Sequence, residues 1–194
     1  MNNKIAGLVT KLYHYVLVSF YFWLGLLKGV FIYSLIPSLV ALYLTLDHMK
    51  RNPEYTESEL KEVYQESYKQ YQSQKVSSFL ISFSFILLAT SIFFLYKDEA
   101  SWVWLGIASY FTLLLYATVS YATYYLAFRT MAIKTSFALG FVSVIKNLSI
   151  TLSIVVLFVI MAWLAFYNIV LFVVLAPILY GLIVVYVFPK KLHN

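Results

Sequence analysis

Long stretches of this chain run on in apolar residues without the polar punctuation of a water-soluble fold. Four of them, Val76 to Tyr96, Trp102 to Leu126, Leu148 to Tyr167 and Ile169 to Phe188, are each about the length a helix needs to cross a hydrocarbon core roughly 30 Å thick. A fifth, Leu12 to Leu46, is longer still, and Lys28 is its only formal charge. Backbone polar groups in lipid must be satisfied within the chain, which leaves helices and closed barrels. Barrel strands alternate over about ten residues, whereas these runs stay predominantly apolar for twice that. The expected fold class is all-α, a polytopic transmembrane helical bundle forming a single domain over residues 1–194.

With 62% hydrophobic and 11% charged residues, the chain has too little charge to cover a water-exposed globule of 194 residues. The net charge of +6 is accounted for by cytoplasmic segments facing anionic lipid and is no argument for nucleic acid. There is no cysteine, so disulfides, thiol catalysis and cysteine-held metals are excluded. Lys4 and Lys11 imitate the charged region of a signal peptide, but the apolar stretch after them is too long and lacks a small-x-small cleavage pattern, so it is expected to remain in the mature protein. Lipid anchors are not expected either, with Asn2 at the second position and no thiol to modify.

As one straight helix, Leu12 to Leu46 would be roughly 50 Å long, too long for a simple crossing. Ile5, Leu8, Val9 and Leu12 share a face, which suits an N-terminal helix lying in the interface over Asn3 to Tyr15. The first crossing then falls between Val18 and Leu46, with Pro37 as its kink. Counting cations places the segment with Lys50, Arg51, Lys61, Lys69 and Lys75, the segment with Arg129, Lys134 and Lys146, and the tail with Lys190 and Lys191 on the cytoplasmic side. About five crossings and a cytoplasmic C-terminus in a bacterial plasma membrane follow, at the cost of leaving Lys4 and Lys11 outside. A six-crossing version turning near Lys28 and Gly29 would remove that conflict but gives short helices.

One polar arm interrupts the apolar pattern, Asp47 to Lys75. Thr56 and Glu59 form a capping box there, and Leu60, Tyr64, Tyr68 and Tyr71 recur every three or four residues, so the arm reads as a cytoplasmic amphipathic helix with a tyrosine stripe. The stripe either rests on headgroups or the base of the bundle, or docks a partner. Arg129 and Lys134, in the loop from Phe128 to Lys146, are candidates for the same docking face. Within the crossings, Ser77, Ser84 and Ser91 recur every seven residues. Ser109, Thr112, Tyr116, Ser120 and Thr123 step by three or four, and Ser143, Asn147 and Thr151 follow the same spacing. Such stripes are packing seams or the lining of a polar pocket, with Lys28, Ser84, Thr112, Tyr116, Ser120 and Asn147 as its candidate residues. Lys28 itself reads as a snorkelling side chain or a substrate contact.

Catalytic signals are lacking. His14, His48 and His193 are scattered, Asp98 and Glu99 share a short turn, and the other six acids lie in the polar arm. No HExxH and no glycine-rich phosphate loop is present, and the later crossings contain no Asp, Glu or His for a proton relay. No catalytic residue, metal or cofactor is expected.

The residues Trp23, Gly29, Pro37, Ser38, Ala41 and Leu42, followed by a charged linker and a helix bearing Tyr64, Tyr68 and Tyr71, resemble the YesL family of small bacterial membrane proteins. Its members usually show an Asn-Leu-Leu-Trp run, a glycine, a Pro-Ala-x-x-Ala segment and a charged arm ending in aromatics. Here Ser38 stands for the first alanine, and Tyr21 or its neighbours for the asparagine. The resemblance implies a non-enzymatic accessory or scaffold role beside the permease subunits of a carbohydrate ABC importer, with no catalytic residues to carry over. The rival expectation is a solute-binding membrane component resembling the six-helix capture subunits of vitamin importers. An enzyme acting on a lipid-linked substrate would have only Asp47 and the Lys97 to Glu99 turn to work with.

Overall fold

The computed structural model describes residues 2–99 and 101–188, with side chains from residue 7 onward. Lys4 and Ile5 of the proposed interfacial face, and Lys190, Lys191 and His193 of the tail, lie outside the described side chains. The described residues form helices and no strand: α1 (Asn2–Lys28), α2 (Leu35–Arg51), α3 (Glu57–Gln70), α4 (Lys75–Lys97), α5 (Trp102–Arg129), α6 (Ile133–Lys146), α7 (Leu148–Tyr167) and α8 (Ile169–Tyr186), with a short 3-10 turn, Gln72–Gln74, before α4. Four of these helices, α4, α5, α7 and α8, are long and apolar enough to cross a membrane, α4 together with the turn before it.

The longest apolar run breaks differently from the expectation. It forms no single helix kinked at Pro37; α1 is continuous through Tyr15 to Lys28, and the chain reverses at Gly29–Ser34, where the six-crossing alternative put its turn, to make a helical hairpin. Gly29 permits the reversal because a Cβ there would lie 2.9 Å from the Ser34 amide nitrogen. Val30 and Phe31 adopt left-handed conformations, φ 52° and 61°, which cost a non-glycine residue about 1–2 kcal/mol each. Both are exposed. Pro37 does not kink α2, because it sits in the first turn, where a missing N–H breaks no intrahelical bond. The neighbouring Ile36 N–H, also orphaned by the helix start, donates to Ser78 Oγ of α4 at 3.1 Å.

At 17 residues, α2 is about 26 Å long and lies at the centre of the molecule, contacted by α1, α3, α4, α5 and α8. Every residue from Ile36 to Tyr43 is buried. The polar helix α3 starts at the foreseen capping box, where Thr56 Oγ1 accepts from Glu59 N and Glu59 Oε2 accepts from Thr56 N at 3.1 Å. It folds back along α2 and α1. The segment after α5, expected as a loop, is largely α6, which lies on α5 so closely that a Cβ at Gly140 would be 2.8 Å from Thr118 O.

A proline ties α1 to α8. Pro177 lacks the N–H that would bond Val173 O one turn earlier. Trp23 Nε1 and Ser19 Oγ donate to that freed carbonyl instead, at 2.6 and 3.0 Å. At the other end of α8, Lys50 Nζ of α2 donates to Val185 O at 3.2 Å and lies over the Tyr186 ring.

Candidate functional site

The candidate docking stripe points inward. Leu60, Tyr64, Tyr68 and Tyr71 are 0%, 5%, 9% and 8% exposed. Tyr64 and Tyr68 pack on Ala41 of α2 and Tyr21 of α1, and Tyr71 Oη donates to Leu126 O of α5 at 3.1 Å. The amphipathic pattern is real, but its apolar face is consumed in covering α2, so these four side chains are not open to a partner. Arg129 and Lys134 are exposed and remain available. Burial raises the phenol pKa of Tyr64 well above its ordinary value; the nearby Ser38 hydroxyl offsets part of the rise and Tyr68 adds to it. Burial also raises Tyr68 and Tyr71.

The six candidate pocket residues do not converge. Ser84 Oγ donates to Leu80 O and Ser91 Oγ to Leu87 O, each within α4, so this seven-residue stripe is no helix seam. The serine of α4 that packs is Ser78, one residue off the stripe and fully buried. Thr112 donates back to Ala108 O. Asn147 joins α6 to α7, and its carbonyl accepts from Tyr121 Oη at 3.2 Å, which makes it a junction rather than a pocket wall. Lys28 is exposed at the end of α1.

Tyr116 and Ser120 do come together, around partners absent from the candidate set. Ser120 Oγ donates to Tyr116 O at 2.8 Å, so the Tyr180 hydroxyl, 2.8 Å away, donates to Ser120. Thr123 likewise donates to Val119 O, leaving Tyr43 as the donor in its 3.3 Å bond to Thr123 Oγ1. The Tyr43, Tyr116 and Tyr180 rings stand 5.7 and 5.9 Å from one another through Tyr180. This cluster joins α2, α5 and α8. Its sequence signal was a lone tyrosine in each of two otherwise aliphatic stretches, around 43 and 180, since a buried phenol needs a partner.

Above the cluster lies a cavity of about 200 Å³ between α1, α2, α4, α5, α7 and α8. Phe22, Leu26, Phe85, Met161, Phe172 and Tyr180 are among its walls, and no charged or amide side chain faces it. Such walls suit an apolar occupant and offer a hydroxylated solute nothing to bond. Among the described residues, no three of His, Asp and Glu gather in a way that could hold a metal ion. Comparison with models of known families, with curated proteins and with solved structures finds no match for this chain.

Proposed function

We propose that this chain is a non-enzymatic protein of the bacterial plasma membrane that crosses the bilayer four times, through α4, α5, α7 and α8. The α1–α2 hairpin dips part-way in from the cytoplasmic side. Charge carries this reading: with four crossings, all of the 14 lysines and arginines except Lys97 fall on one side, and that side is cytoplasmic by the positive-inside rule. The conflict over Lys4 and Lys11 disappears, and both termini face the cytoplasm. The dipping hairpin is supported by its apolar tip, where Val30 and Phe31 are exposed and Tyr33 stacks on Phe79, inside the α4 span. Because the chain has no native cysteine, single cysteines at Asn3 and Ser101 test the topology directly. Labelling from outside intact cells should mark Ser101→Cys and spare Asn3→Cys; the reverse pattern rejects it.

In that membrane the protein acts as an accessory or scaffold partner of carbohydrate ABC importer permease subunits. The support is the resemblance to the YesL family. Its residues Pro37, Ser38, Ala41 and Leu42 on α2 and Tyr64, Tyr68 and Tyr71 on α3 belong to one packed unit, which leaves Arg129, Lys134 and the outer faces of the spans for a partner. Photo-crosslinkers at Leu87 and Val159, both exposed on spans, should capture permease subunits in native membranes. Loss of the gene with unchanged sugar uptake and no crosslinked permease would reject the role. The apolar cavity favours a second reading, a membrane component that retains an apolar molecule; mass spectrometry of the purified protein distinguishes it by a bound ligand.

A further inference from the structure

We infer that the cavity between the α1–α2 hairpin and the spans holds the hydrocarbon tail of a bilayer phospholipid, which enters sideways between α4 and α7. The assignment rests on the reading of the protein as one that retains an apolar molecule, and for its depth on the four crossings. Depth argues for a tail. Phe85 lies in the middle turn of α4 and Tyr116 in that of α5, and both face the cavity, together with Met161 of α7 and Phe172 of α8. The space of about 200 Å³ therefore opens at mid-span, where a bilayer presents acyl chains and no headgroups. Its wall on α8 runs from Phe172 to Tyr180, about 12 Å along the helix axis, so it is a slot that suits an extended chain.

The chemistry of the walls selects the occupant. Trp23, Tyr116 and Tyr180 line the cavity, and each carries a donor able to hold a polar ligand. All three donors are spent on the protein instead. Trp23 Nε1 goes to the Val173 carbonyl that Pro177 frees, Tyr180 Oη to Ser120 Oγ at 2.8 Å, and Tyr116 Oη to Met161 Sδ at 3.7 Å. No polar atom is left bare in the wall. Water needs several polar partners to remain in such a space, whereas an apolar cavity stays dry and accepts hydrocarbon. Left empty, the walls would forfeit dispersion contacts on one side. The occupant is therefore hydrocarbon, and the surrounding bilayer supplies it.

A way in is left on one side. Among the described residues, α4 packs along α2 and α5, and α7 along α5, α6 and α8, but α4 and α7 do not pack along each other. Phe85 and Met161 nonetheless border the same half-open cavity, so no helix contact closes the seam between them. Leu88 and Ile92 continue the Phe85 face along α4, and Ala165 continues the Met161 face along α7. All three are apolar and only half-buried. A chain threaded through this seam covers them on its way to the slot beside α8.

The test reads Trp23 from the cavity wall. In the full chain carrying Trp102→Phe, Trp104→Phe and Trp163→Phe, all at exposed positions, Trp23 is the sole remaining indole. In vesicles of phosphatidylcholine brominated at mid-chain, its fluorescence should be quenched severalfold relative to unbrominated lipid. Ala176→Leu and Leu39→Phe each fill the cavity, since both residues line it and are buried, and either should restore most of the emission. Phe85→Ala widens the seam and should deepen the quenching, which keeps the test decisive where a filled variant fails to fold. Quenching indifferent to all three substitutions would place the chains outside the bundle and overturn the inference. Native mass spectrometry of the same proteins separates this failure from that of the underlying reading. A phospholipid retained equally by wild type and filled variants rejects the cavity alone, whereas no bound molecule in any of them rejects both. A retained polyisoprenoid, or a dimer mass without lipid, would give the seam to another occupant and overturn the acyl assignment.

Discussion

Helices α2 and α7 are both rich in aliphatic and aromatic residues, yet they are covered by different things. In α2, Ile36 to Tyr43 is buried on every side by five other helices. In α7, only Ile150, Ile154, Leu157 and Leu164 are buried, a single stripe at helical spacing, while Leu152, Val156, Val159, Ile160 and Trp163 face outward. The share of each span buried within the chain runs from 11% for α4 to 39% for α8. A hydrophobic helix therefore announces that something must cover it, without saying whether that is protein or lipid.

The sharpest way to break this contrast is to truncate one side chain in each helix. Leu42→Ala should destabilise the detergent-solubilised protein by about 2–5 kcal/mol, because Leu42 is fully enclosed and a cavity would remain. Val159→Ala, on the outer face of α7, should cost less than about 0.5 kcal/mol. Equal shifts in thermal unfolding would show that α7 is covered by protein. A step smaller, Gly140→Ala should cost about 1–3 kcal/mol by forcing α6 off the α5 backbone, with faster amide exchange in α6. The same change at Gly106, which has open space around it, should be neutral or stabilising by up to about 1 kcal/mol.

The proline tie between α1 and α8 calls for a double-mutant cycle. Trp23→Phe removes one donor to Val173 O and should cost about 0.5–1.5 kcal/mol. In a Pro177→Ala background the restored N–H satisfies that carbonyl, and the same change should then cost measurably less. Additive losses would mean that Trp23 acts only through ring packing.

The smallest effect concerns pH. Tyr64, Tyr68 and Tyr71 have raised pKa values in the folded protein, so the stability they contribute is complete below about pH 10, where phenols of the unfolded chain titrate, and falls as pH climbs toward the folded values. Alkaline unfolding followed by circular dichroism should therefore begin above about pH 10. It should begin later in Tyr64→Phe. An unchanged midpoint in that variant would mean that the α3 seam is not the part that fails.

Much of the architecture was legible one helix at a time. The four spans follow from run length, and the start of α3 from Thr56 and Glu59, because hydropathy and capping are properties of neighbouring residues. The tyrosine stripe was equally visible, but its target was not: Tyr64 and Tyr68 meet Ala41 and Tyr21 only after the chain reverses twice. The polar seams divided: Ser120 and Thr123 of α5 meet Tyr180 and Tyr43, and Ser143 and Thr151 meet Tyr125 and Tyr121, whereas the α4 stripe makes no seam. Ser84 and Ser91 satisfy themselves within α4, and Ser78 is the serine that reaches α2.

By itself, then, the sequence determined the helical class and four helices long and apolar enough to cross a membrane, since both are sums over local composition. Only the tertiary structure decided that the longest apolar run is a hairpin packed against other helices, that Val173 O is claimed by Trp23 and Ser19, and that Tyr180 and Tyr43 find Ser120 and Thr123. Those outcomes depend on which surfaces meet across distant parts of the chain, and the local pattern carries no record of that.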